Sequence, residues 1–259
     1  MHQKTFYLSI IIFSIISIFL FSTQSSEKRF YDQQKQYSRV RQSIEEKEQL
    51  IKNLFDSKGL NLSNSEIFIC VLKANRLVEL WAKNKADKTY QQIKNYQICS
   101  LSGKEGPKRR QGDLQIPEGF YHIDRFNPVS NFYLSLGINY PNESDRVLGT
   151  KGNLGGDIFI HGNCVTIGCV PITDDKIKEL YLICVIARSN GQKEIPVHIF
   201  PTKLSGLDYE ALKVNNRGNS KLLDFWENLQ VGYQYFEVNK KLPEVVVNKA
   251  TGSYIFNGQ

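Results

Sequence analysis

The apolar and polar positions change rhythm several times along the chain. From Thr5 to Ser22 the residues are uncharged and rich in Phe, Leu and Ile, behind Lys4 and ahead of a polar Thr-Gln-Ser-Ser. That pattern predicts an export segment over 1–26, either a secretory signal or a single membrane anchor. Both remain open: Thr23 and Ser25 are small enough for a cleavage site, and the run is long enough to span a bilayer. The next stretch is highly charged, with Val40, Ile44, Ile51, Leu54 and Phe55 spaced as one face of a helix. It predicts a helical stalk over 27–63 that holds a domain away from the membrane.

From Ser65 the rhythm becomes that of strands. EIFICVLK and RLVELWAK flank Ala74-Asn75 and predict a hairpin. Further strands are predicted within 90–100, Phe120 to Asp124, Phe132 to Ile138 and Pro196 to Phe200. Leu101 to Gln115 reads as an exposed basic loop, and Asn139 to Gly155 as a long loop forming one wall of a cleft. Ile177, Leu180, Tyr181, Ile183, Cys184 and Ala187 mark the buried side of a helix capped by Thr173 and ended by Asn190-Gly191. The tail holds a helix around Lys221–Leu229 and a Pro/Val-rich end. The whole reads as mainly β with flanking helices, an α+β class. A domain over 64–202 is followed by an extension over 203–259 packed on or near it.

The chain has 259 residues and a formal charge of +7, spread along the sequence. That excess favours anionic surfaces such as wall polymers or lipid headgroups. No recognition helix, RNA-binding signature or basic-aromatic repeat is present, so nucleic acid is set aside as a partner. The cysteines number 5, an odd count for an exported protein, so at least one thiol is free or pairs between chains. Cys70, Cys99 and Cys184 read as small buried hydrophobes. Cys164 and Cys169 share one loop, and both are expected reduced, because a bond between them would block a nucleophile.

That loop lies in the most informative stretch, GGDIFIHGNCVTIGCVPITDDKIKELY from Gly155 to Tyr181. A strand ending in His161-Gly162, followed by a tight Thr166-x-Gly168-Cys169 turn, can bring an imidazole to a thiol. Cys169 is the candidate nucleophile and His161 the candidate general acid/base. Gly162 and Gly168 permit close approach of backbone to substrate, and peptide N–H groups in the turn can face an oxyanion. Thr166 can hydrogen-bond within the loop, face substrate, or stiffen the turn. His122 and His198 read as structural. Cys164 with His161 and Cys169 offers three ligands to zinc, a minor alternative with no fourth ligand at finger-like spacing.

HGNCVTIGCVPITD resembles the signature of the L,D-transpeptidase (YkuD-like) catalytic domain family. Most members separate the first His-Gly from a later Ser-His-Gly-Cys. Here His161 and Cys169 are close, and Ile167 stands where the second His usually sits. Both features resemble the YafK-type branch, whose motif is His-Gly-x-Cys-x-Ser/Thr-x-Gly-Cys, as does Gly112 to Asp145 upstream. The resemblance covers roughly residues 64–202. It implies a β-sandwich-like domain and a cysteine-dependent attack on the L-centre carbonyl of the third stem-peptide residue of peptidoglycan. A Cys169 thioester would follow, with backbone donors at Ile167, Gly168 or Cys169 and an amine or water as acceptor. The implied partners are peptidoglycan stem peptides and a wall-attached protein, in the periplasm, with no cofactor and no metal. A wall-binding module that has lost turnover is the alternative.

Overall fold

A computed structural model describes residues 30–257. The predicted export segment, 1–26, falls entirely on residues outside that range. Among the described residues no helix is long and apolar enough to cross a membrane.

The core is one curled, mixed eight-stranded sheet. The hairpin of β1 (Ser65–Leu72) and β2 (Leu77–Asn84) forms as the sequence predicts. β1 reads as a continuous apolar run because both of its faces are covered. Ile67, Ile69 and Val71 enter one core, and Phe68, Cys70 and Leu72 enter another on the opposite face. β3 (Gln91–Gln97), β4 (Gly119–Asn127) and β5 (Ser135–Ile138) follow. β5 is shorter than its apolar pattern because Phe132 and Tyr133 belong to the preceding turn, where Tyr133 has φ +71°. β6 (Phe159–His161), β7 (Val170–Pro171) and β8 (Pro196–Phe200) complete the sheet, in the order β3-β2-β1-β8-β4-β5-β6-β7, with β8 between β1 and β4 and β7 at one edge.

Two helices pack together on the first core. α1 (Ser38–Ser57) is the segment expected as a stalk, but it lies on the domain instead. Val40, Ile51 and Phe55 are wholly buried, each contributing about 1.5–3 kcal/mol. Ion pairs from Lys47 to Asp175 and from Glu46 to Lys178 join α1 to the main core helix. Each is worth about 1 kcal/mol or less at the surface, so the apolar stripe decides the docking. Asn139 to Gly155 is also more ordered than expected. It contains α2 (Glu143–Leu148), started by a capping box between Asn142 and Asp145.

The core helix, α3 (Asp174–Ser189), is buried on nearly every side because the sheet curls against one flank and α1 covers the other. Thr173 does not cap it: its φ is +73° and its hydroxyl makes no cap hydrogen bond. On the opposite face of the sheet, α4 (Gly206–Asn215), α5 (Ser220–Asn239) and the hairpin of β9 (Glu244–Val247) and β10 (Tyr254–Asn257) cover the second core. α5 extends ten residues beyond the predicted Leu229. Leu229, Tyr233 and Phe236 continue its buried stripe.

Candidate active site

The topology brings the predicted pair together through one parallel strand contact. β6 is paired with β5 on one side and β7 on the other, with Ile160 beside Val170 and His161 beside Pro171. Continuing that register places Cys169 beside Phe159. Phe159 and His161 are two residues apart on one strand and share a face, so Cys169 and His161 face the same cleft. That cleft has a volume of about 600 Å³ and is lined by both residues.

His161 is 1 % exposed. Its Nδ1–H donates to the Gly162 carbonyl at 2.5 Å. A carbonyl can only accept, so Nδ1 carries the proton and the neutral ring keeps its lone pair at Nε2. The ring stacks on Phe132, with centroids 4.5 Å apart. Burial holds the imidazole below its ordinary pKa, with the Gly162 carbonyl acting the other way. Burial pushes the Cys169 thiol above its ordinary range, opposed by the Phe159 N–H and, through its charge, by Lys108. The thiol donates to the Asp157 carbonyl at 3.6 Å. The resting pair is therefore neutral thiol and neutral imidazole.

Thr166 organises the turn. Its hydroxyl accepts from the Gly168 N–H at 3.1 Å and the Cys169 N–H at 2.8 Å, and donates to the Cys169 carbonyl at 2.8 Å. Thr166 hydrogen-bonds within the loop, which stiffens the turn, and it also lines the cleft. The Gly168 N–H, expected as an oxyanion donor, is engaged with the Thr166 hydroxyl in this resting arrangement. Ile167 N–H has no partner among the described residues, and its side chain is 79 % exposed. Gly168 is needed for shape instead: φ is +133°, and a Cβ there would lie 3.0 Å from the Gln115 carbonyl. A Cβ at Gly162 would meet Asp174 Oδ1 at 2.5 Å and the Phe132 carbonyl at 2.7 Å.

The cysteines pair differently from the sequence expectation. Cys99 is joined to Cys164 by a disulfide across 65 residues, with Cα atoms 5.5 Å apart, while Cys169 stays free. Cys99 is thus no buried hydrophobe, and Cys164 is not a reduced thiol. The bond also breaks up the zinc alternative, since Cys164 cannot supply a thiolate. Odd cysteine parity was the available signal, but it names no partner.

The cleft wall also differs from expectation. Asn127, Asn131, Phe132 and Ser135 form it, from the end of β4 through the turn to the start of β5, rather than the Asn139–Gly155 segment. Asp157, Phe159, Val165 and Ile167 complete the rim. Asp157 has φ +55°, and Arg125 reaches its carboxylate at 2.7 Å while lying over the Phe159 ring at 4.9 Å. In the basic loop, Lys108 and Arg109 are tied down by Asp113 and Asp145, leaving Lys104 and Arg110 exposed. A wider groove of about 1610 Å³ opens along α1, beside Glu45 and Glu48, and contains none of the predicted site residues.

A free cysteine and a tautomerically fixed histidine thus line one cleft of the curled sheet. A model of the family described as YkuD, L,D-transpeptidase catalytic domain, matches residues 66–199. The chain belongs to that family of bacterial cell-wall enzymes. Over 196 residues it is 37% identical to the protein named "Putative L,D-transpeptidase YafK" of Escherichia coli (strain K12), covering 75% of each chain. The O157:H7 counterpart matches identically. Among solved structures, the helical cell shape determining protein Pgp2 of Campylobacter jejuni aligns at TM-score 0.43 and 18% identity, covering 72% of this chain and 74% of that one. Bd1075 of Bdellovibrio bacteriovorus aligns at TM-score 0.39 and 23% identity, covering 68% and 64%.

Proposed function

We propose that the chain is a cysteine-dependent L,D-transpeptidase or L,D-hydrolase of the cell envelope, acting at the L-centre of the third stem-peptide residue of peptidoglycan. The observation that carries this reading is Cys169 and His161 lining one cleft, with Nδ1–H committed to the Gly162 carbonyl. Cys169 passes its proton to His161 Nε2 as sulfur bonds to the substrate carbonyl carbon. The Ile167 N–H is the donor left for the tetrahedral oxyanion. The carbon–nitrogen bond then breaks, His161 Nε2–H protonates the departing amine, and a thioester remains. An amine from a second stem gives a cross-link or a protein attachment, and water gives cleavage.

Since both partners rest neutral, the thiol must give its proton to His161 Nε2 before or during attack. Asp157 gives the rim a carboxylate suited to an ammonium group, and Arg125 beside it a guanidinium suited to a carboxylate. Together they match the amino-acid head group of a diamino residue. The apolar run before residue 23 motivates export to the periplasm, by cleaved signal or anchor.

The test is mass spectrometry of products from purified tetrapeptide muropeptides and from walls bearing covalently attached protein, beside Cys169→Ala. Cys169-dependent dimers establish transfer, and Cys169-dependent release of a terminal residue or attached protein establishes hydrolysis. The second reading, a binding module without turnover, draws on the raised thiol pKa. It predicts muropeptide binding with no acyl-enzyme on any of these substrates.

A further inference from the structure

We propose that the Cys99–Cys164 disulfide is a redox-dependent positioning element for the nucleophile, which braces the Cys169 loop and withholds Cys164 from Cys169. It rests on the reading of Cys169 as nucleophile.

The loop from Gly162 to Cys169 is anchored well at both ends and sparsely between them. At its start, Gly162 N–H donates to the Leu134 carbonyl at 3.2 Å and Asn163 N–H to Asp174 Oδ1 at 2.7 Å. At its end, Thr166 ties the Gly168 and Cys169 amides together, and β7 joins the sheet. In the middle, Cys164 N–H reaches only its neighbour Asn163 Oδ1. Among the described residues, the long-range tie at that point is the bond to Cys99. Cys99 in turn is held by its N–H on the Pro171 carbonyl at 3.0 Å. The brace therefore runs from the end of β3 to the loop and back to the strand that follows the nucleophile.

Exposure makes this tie conditional. Asn163, Cys164, Val165 and Ile167 are all exposed, so an external thiol can reach the bond. A dithiol opens the bond by exchange: its thiolate attacks one sulfur, releases the other cysteine as a thiolate, and its second thiol then closes on itself. Two electrons pass to Cys99 and Cys164. The freed Cys164 thiol sits in the same loop as Cys169. With a disulfide oxidant such as oxidised glutathione, the two can then join, giving two electrons to the oxidant and silencing the nucleophile.

The test uses the full chain and reads carboxamidomethylation of Cys169 by iodoacetamide across pH, by peptide mass spectrometry, so it needs no substrate. Untreated protein, dithiothreitol-reduced protein, Cys99→Ser and Cys99→Ser/Cys164→Ser are compared. In the reduced and double-variant proteins, the Cys169 alkylation profile is expected to shift to lower pH as the loop opens, with at least a several-fold change in rate near neutral pH. Muropeptide turnover should fall at least tenfold in kcat with a smaller change in KM. In Cys99→Ser treated with oxidised glutathione, Cys169 should become resistant to alkylation, carry a Cys164–Cys169 bond, and recover with dithiothreitol. An alkylation profile unchanged on reduction and in the double variant overturns the brace. Full alkylation of Cys169 in oxidised Cys99→Ser overturns the protective role. If turnover is absent in every form while the alkylation profile shifts, positioning stands and the catalytic reading falls. Reduction of the unmodified chain keeps the test decisive should a variant fail to fold.

Discussion

The cleft side and the C-terminal side of the sheet each bury a histidine and use it in opposite ways. His161 keeps one ring nitrogen on a backbone carbonyl and the other available, in a loop region where Tyr133, Asp157, Asn163 and Thr173 are all non-glycine residues with positive φ. The bulky Tyr133 and β-branched Thr173 each cost on the order of 1–3 kcal/mol, and Asp157 and Asn163 less. His198 instead sits edge-on among Phe68, Phe120 and Phe200, with ring centroids 4.6, 4.6 and 6.1 Å away. Nearby, Lys73 and Glu118 form a buried ion pair at 2.7 Å, and the Trp226 Nε1–H donates to the second Glu118 oxygen at 2.8 Å. One side pairs the charge of Glu118 and stabilises the fold, although the buried Tyr209 hydroxyl there has no partner among the described residues. The other leaves an amide, an imidazole nitrogen and a thiol facing a cleft, at a cost the first side offsets.

The largest expected effect breaks the cleft alone. Cys169→Ala should lower acyl transfer by on the order of 10⁴-fold or more while leaving the melting temperature within a few degrees. A variant that retains turnover would sink the mechanism. Next, Glu118→Ala should destabilise the fold by about 3–5 kcal/mol, because Lys73 and the Trp226 N–H are left buried without their partner. Chemical denaturation reads the loss, and Cys169 alkylation of the folded fraction should not change. A coupled change in alkylation would mean that the two sides are not separable.

A smaller effect sharpens the comparison within the loop. Thr166→Val keeps the shape but removes the hydroxyl that holds the Gly168 and Cys169 amides. Acylation by a muropeptide or a carbapenem should slow by roughly ten- to a hundredfold, with stability reduced by about 1–2 kcal/mol. Equal acylation rates would leave Thr166 without a part in the turn.

The pH dependence separates the two histidines. Burial pushes His198 down to about 3. Its folded pKa lies below the unfolded value of roughly 6.5, so the unfolded chain takes up a proton first as pH falls. The stability is fully present above 6.5 and is lost toward pH 3, at about 1.4 kcal/mol per pH unit where only this group titrates. Asp145, raised to about 6 by burial, acts in the opposite sense between roughly 6 and 3.9 and makes the loss shallower there. His198→Leu should flatten the acid limb, measured as denaturation midpoints from pH 7 to 4. An unchanged limb would place the acid sensitivity elsewhere, with His161 the first residue to examine.

Much of this architecture is legible in the sequence wherever a short-range pattern has one physical outcome. The apolar run of β1, broken by Lys73-Ala74-Asn75 and resumed at Leu77, can be little but a hairpin. The 3.6-residue stripe from Ile177 to Ala187 specifies a core helix. His161-Gly162 and Gly168-Cys169 declare themselves because a strand end and a tight turn lie within one local segment. Tertiary structure decides whatever depends on residues distant in the chain. The pairing of Cys99 with Cys164 spans 65 residues, and an odd cysteine count cannot choose among partners. The stripe on α1 specifies an apolar face but not whether that face meets its own domain or another surface. The 127–135 turn, which stacks Phe132 on His161, has no periodicity to read. The Thr166 hydroxyl could bond in several ways until the turn closed around it and took up the Gly168 and Cys169 amides. Local periodicity is written in backbone geometry and so belongs to the sequence, whereas pairing, docking and the commitment of each donor depend on which surfaces meet when the sheet curls.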